Sequence, residues 1–126
     1  MAMIPPTVTA QMKRVTVSKN GKPIFYEDQR LADARDKLTA HLAQHIPEKK
    51  MKGPIRLITK WCFPKIKGKS DGQYKDTKPD TDNLQKLLKD CMTTVGFWKD
   101  DAQVVSEIVE KFWADIPGIY IEVEEI

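Results

Sequence analysis

Between Asp80 and Gly96 the chain spells out a helix with both ends marked. Leu84, Leu87, Leu88, Cys91, Met92 and Val95 recur at intervals of three and four residues, which predicts one apolar face on a helix over Asp82–Val95. Gly96 follows as a left-handed stop. Asp80-Thr81-Asp82-Asn83 stands at the front, a run of residues that cap helix starts. Such a helix must bury its apolar stripe against something, and the segments around it supply strands.

In chain order, Pro5-Pro6 opens an extended segment. Arg14–Ser18 and Pro23–Tyr26 read as two short strands joined at Asn20-Gly21, a strong hairpin-turn dipeptide. From Asp28 to Ile46, Leu31, Ala34, Leu38, Leu42 and Ile46 form a second apolar stripe, and Pro47 ends that helix. Ile55–Phe63 alternates, with Ile55, Leu57, Thr59 and Trp61 on one face and Arg56, Ile58, Lys60 and Cys62 on the other. Pro64–Pro79, rich in Lys and Gly, reads as a flexible loop. Val104–Trp113 reads as a strand whose register the pattern leaves open, Pro117-Gly118 as a turn, and Ile119, Ile121 and Val123 as the inner face of a last strand. The fold class is therefore α+β: a small mixed sheet with two main helices, in the order β-β-α-β-α-β-β. A single domain over residues 1–126 is expected, a normal size for one core.

No apolar run approaches the roughly 20 residues that span a bilayer, and the first residues lack the basic and apolar regions of a signal peptide. A cytoplasmic protein is expected, with Cys62 and Cys91 as free thiols. His41 and His45 lie one helical turn apart, but no third ligand is placed near them, so they read as ordinary helix histidines. Charge is unevenly distributed along the chain. Residues 1–79 hold 17 Lys/Arg against 7 Asp/Glu, and residues 80–126 hold 4 against 11. A basic part beside an acidic part suits a protein that grips a polyanion and sets a metal against it. The basic candidates for phosphate contact are Lys13, Arg14, Lys19 and Lys22 on the hairpin, and Lys65, Lys67, Lys69, Lys75 and Lys78 in the loop.

Asp80 and Asp82 are two residues apart, and Lys86 follows Asp82 by one helical turn. Asp100-Asp101 come after the helix has ended. Carboxylates suit a hard divalent cation, which could activate water and offset charge on a phosphodiester. The plain alternatives are helix capping for the aspartates and an exposed i,i+4 ion pair for Asp82 and Lys86. For Asp101 to meet the other two, the strand after the helix must bring it back, or a dimer partner must complete the site.

Two blocks make a more specific pattern: Asp80-x-Asp82-Asn83-Leu84-x-Lys86, then Gly96-Phe97-Trp98-x-Asp100-Asp101-Ala102-Gln103-Val104-Val105. With the spacing between them, these resemble the core signature of the RusA family of Holliday-junction resolvases. The resemblance implies a homodimeric α+β endonuclease, often phage- or prophage-encoded, that cuts four-way DNA junctions with Mg2+, with Mn2+ as a substitute. It implies Asp80, Asp82 and Asp101 as catalytic metal ligands, Lys86 as the supporting catalytic lysine, and Asp100 as a further candidate ligand. The chain departs from the pattern at Thr7-Val8-Thr9-Ala10 and in the length of its Pro64–Lys78 loop. The other functions considered are a non-catalytic branched-DNA-binding protein and a metal-dependent nuclease on other nucleic acids.

Overall fold

The computed structural model describes residues 1–8, 13–17, 21, 23–27 and 29–126, with the backbone alone for 13–17 and 23–27. The elements are β1 (Lys13–Val17), β2 (Pro23–Glu27), α1 (Gln29–Leu42), β3 (Ile55–Pro64), α2 (Thr81–Val95), β4 (Val104–Ala114) and β5 (Gly118–Glu125). This is the expected order, with two added 3-10 turns at Ala43–His45 and Asp101–Gln103. β1 and β2 pair antiparallel as a sheet of their own, from Lys13 opposite Glu27 to Val17 opposite Pro23.

β3 is the middle of a three-stranded sheet ordered β4-β3-β5. Its inner face is the one that the alternation predicts: Ile55, Leu57, Thr59, Trp61 and Phe63 are all buried. β5 pairs with it antiparallel, so Val123, Ile121 and Ile119 stand opposite Leu57, Thr59 and Trp61. β4 pairs with it parallel, with a register shift between Ile55 and Arg56, after which Thr59 faces Val109 and Trp61 faces Lys111. That shift is the irregularity that obscured the register in the sequence. A parallel neighbour needs a long crossover, and α2 is that crossover.

The core is formed by the sheet's inner face and the apolar faces of the helices. Leu84, Leu87, Leu88, Cys91 and Met92 of α2 are buried, with Leu31, Leu38 and Leu42 of α1. Trp61 and Trp98 are fully buried; each removes on the order of 200 Å² from water, about 5 kcal/mol as an upper bound. Gly96 ends α2 at φ 97°, and its N–H donates to the carbonyls of Met92 and Thr93. α1 stops as an α-helix four residues before the predicted end. Pro47 excludes the helical conformation for its predecessor, and Ile46 has moved to φ −58°, ψ 130°. Ile46 is accordingly exposed rather than the last member of the stripe.

The segment after β3 is more ordered than a loose loop. It folds back along the free edge of β4, where Gly72 N–H donates to Trp113, Trp113 N–H to Gln73, and Lys75 N–H to Lys111. Tyr74 stacks on Phe112 with ring centroids 4.9 Å apart, and its hydroxyl donates to Glu110. These ladder bonds, made to an otherwise unpaired edge, replace the disorder expected from the Gly and Lys content.

Candidate active site

α2 runs alongside β4 and leaves an open groove between them, lined by Thr81, Asp82, Gln85, Lys86, Lys89, Asp101, Glu107 and Val109. The helix start supplies one wall, because Asp82, Gln85, Lys86 and Lys89 recur at helical spacing on the side turned to β4. The 3-10 turn before β4 supplies Asp101. The crossover therefore places Asp82 and Asp101 on the same groove, although 19 residues separate them.

The polar contacts sort these residues. Lys89 Nζ donates to Glu107 Oε1 at 2.7 Å, which closes that pair within the groove. Asp82 and Asp101 have no ion-pair partner among the described residues. Asp82 Oδ1 accepts from the N–H of its neighbour Asn83 at 3.0 Å. Lys86 does not pair with Asp82; its Nζ lies 3.9 Å from Asp90, and its side chain is 65% exposed. A contact that long and wet holds the ammonium weakly, so it is free to turn to an anion in the groove. Asp80 is the N-cap of α2, yet its side chain makes no capping hydrogen bond. Its carbonyl instead receives the first helical bond, from Leu84 N–H at 3.1 Å.

Asp100 has a different occupation. Its Oδ1 accepts from Ala102 N–H at 2.8 Å, while Gln103 Oε1 accepts from the N–H groups of Lys99 and Asp100. This capping box fixes the turn that presents Asp101. Gln103 also donates to the carbonyls of Met51 and Gly53, tying the turn to the segment before β3.

Among the described residues no group of three or more His, Cys, Asp or Glu side chains is gathered closely enough to hold a metal ion. Asp80, Asp82 and Asp101 thus do not form a closed ligand set within one chain. Their chemistry still fits a hard divalent cation, since all the donors are carboxylate oxygens.

Of the basic candidates, Lys67 and Lys78 are exposed and Lys69 half-buried. Lys65 bonds Asp115 at 2.7 Å. Lys19 and Lys22 lie outside the described residues, and for Lys13 and Arg14 the backbone alone is described. Lys75 departs from its expected role as a phosphate contact. It is 8% exposed, with its ammonium 4.6 Å from the Trp113 ring centre and 5.2 Å from that of Phe63.

Two groove-side features escaped the sequence reading. Gln85 is buried within the apolar face of α2, and its Oε1 accepts from Thr59, whose Oγ1 accepts from Trp61 Nε1. On β4, Lys111 reaches the carbonyls of Thr77 and Pro79. In each case the signal was a polar residue at a position whose periodic neighbours are apolar.

A mixed sheet with one α-helical crossover and an acidic groove beside it defines a class: α+β proteins whose candidate site is carboxylate-based, with a basic segment leading into it. The profile described as Endodeoxyribonuclease RusA matches residues 4–124, and the chain belongs to the RusA family. It is 29% identical over 120 residues to a protein of Lactococcus phage r1t named Crossover junction endodeoxyribonuclease rusA, covering 94% of this chain and 90% of that one. It is also 29% identical over 119 residues to the uncharacterized protein YqaN of Bacillus subtilis (strain 168), covering 86% and 83%. A stretch of 32 residues is 59% identical to the Crossover junction endodeoxyribonuclease RusA of Escherichia coli (strain K12), covering 25% of this chain and 27% of that one.

Proposed function

We propose that this RusA-family protein is an Mg2+-dependent endodeoxyribonuclease that resolves four-way DNA junctions as a symmetric dimer, making paired nicks in recombination and repair. The observation that carries the reading is the α2–β4 groove, where Asp82 and Asp101 lie together beside a weakly held Lys86. Asp80, Asp82 and Asp101 are the ligands in this reading. Because one chain does not gather them, a second copy or closure on DNA completes the set. A two-fold dimer also suits paired cuts on a two-fold substrate. When bound, the cation would offset phosphate charge and lower the pKa of a water. The chain's own residues do the rest: Lys86 turns toward the scissile phosphate, and exposed lysines such as Lys67 and Lys78 hold flanking phosphates.

The test is cleavage of a synthetic mobile four-way junction with Mg2+ or Mn2+. Asp80→Asn, Asp82→Asn and Asp101→Asn are each expected to lower cleavage by ~10²-fold or more while junction binding persists. A wild-type protein that binds the junction and never cuts it would establish a non-catalytic binder instead. Equal cutting of linear duplex, single strands or RNA would establish a nuclease of broader substrate.

A further inference from the structure

Two lysines grip the three residues that lead into Asp80. Lys75 Nζ donates to Thr77 Oγ1 and to the carbonyls of Thr77 and Lys78. Lys111 Nζ donates to the Thr77 carbonyl at 2.6 Å and to the Pro79 carbonyl at 2.7 Å. With Asp80 O accepting from Leu84 N–H, four successive carbonyls, from Thr77 to Asp80, each have a fixed donor. The two lysines are themselves joined, because Lys75 N–H donates to Lys111 O at 3.0 Å.

This use of ammonium groups is unusual. Lys75 is buried and has no carboxylate on it among the described residues. Its charge is met by carbonyl oxygens and by the faces of Trp113 and Phe63. Burial, and then the charge of Lys111, pushes its pKa below the ordinary value, against a smaller upward pull from Asp76. A solvated surface lysine would leave the strip 77–79 free to move, and a buried apolar residue would leave its carbonyls without donors.

We propose that Lys75 and Lys111 are positioning residues that fix the Thr77–Pro79 backbone and, through it, the place of the Asp80 and Asp82 carboxylates. The proposal rests on the metal-site reading above. It assigns to a basic residue of this loop a task other than DNA contact: holding the acidic residues in register for their cation.

The test uses the full chain with Lys75→Met, Lys111→Met and Lys111→Arg. Methionine keeps the contact with the rings and removes the donors. Lys111 is half-exposed, so its variants are expected to fold even if Lys75→Met does not. In a Mn2+ titration, Lys111→Met is expected to weaken metal binding about tenfold, as loss of a group supporting a metal ligand does, and Lys111→Arg to recover most of it. Junction binding measured in Ca2+ should change less than twofold. Unchanged Mn2+ affinity in folded Lys111→Met overturns the clamp, as does a loss of junction binding as large as the loss of metal binding. A wild-type protein that binds no Mn2+ overturns the metal-site reading instead. Amide exchange at Thr81–Leu84, measured without metal, then decides the clamp: faster exchange in Lys111→Met supports it and equal exchange overturns it.

Discussion

Thr59 shows how one side chain can connect the sheet to the groove. It is fully buried, donates to Gln85 Oε1 at 3.0 Å and accepts from Trp61 Nε1 at 3.2 Å. Thr59→Val keeps the shape and strands both partners, so it is expected to cost about 1–3 kcal/mol in denaturant unfolding, more than a surface threonine substitution would. Gln85 already has a buried Nε2 with no acceptor among the described residues, which makes this network sensitive to further loss. Cys62 gives a pH test. Burial first, then the charge of Asp71, raises its thiol above the ordinary 9.0. Alkylation at pH 8–9 is thus expected to be slower than for an unfolded cysteine. The linkage runs the same way: this contribution to stability is present below the unfolded pKa and is lost as pH rises through the folded one. At this scale the sequence disclosed residue types better than their tasks. Asp100, a further candidate ligand, also caps the turn that presents Asp101 through its Oδ1; Lys75, expected to contact phosphate, is buried and holds the Thr77 and Lys78 carbonyls. The cap is encoded locally, in the spacing of Asp100 and Gln103; the setting of Lys75 is not, because the rings that cover it come from β3 and β4.

The helices and the central strand were legible because their periods are unambiguous. Alternation over 55–63 and the three-four spacing over 82–95 each admit one buried face. The Gly96 stop is equally local. At φ 97° a side chain there is strained, while a Cβ would meet nothing closer than Lys50 Cε at 3.8 Å. Gly96→Ala is therefore expected to destabilise by about 1–2 kcal/mol through the backbone alone, read as a lower melting temperature. The segment 64–79 reads as loose in sequence because its order comes from the edge of β4, not from its own composition. The register of β4 was hidden for a related reason. Its partner is β3, some 50 residues earlier, and the shift falls within β4, where Val105 is skipped between the partners of Ile55 and Arg56.

For the whole molecule, the uneven charge along the sequence does not divide cleanly in space. Lys86 and Lys89 lie within the acidic half and line the groove, while Lys65 and Lys75 in the basic half are engaged within the protein. Junction affinity should still fall steeply between 50 and 200 mM salt, because exposed lysines release counterions from phosphates. The slope measures how many do so, and Lys67→Ala and Lys78→Ala are each expected to lower it by about one, whereas Lys65→Ala should leave it nearly unchanged. The central place of β3 also governs how the molecule is made. Both of its neighbours arrive from later in the chain, one by way of α2 and the other after it. Such distant pairings close slowly, on the order of milliseconds to seconds. Residues 81–95 can form a helix early, but Asp82 has no opposite wall until residues 101–109 have been laid against β3. The groove therefore cannot exist before β4 has paired with β3, and a chain cut short before β4 cannot contain it.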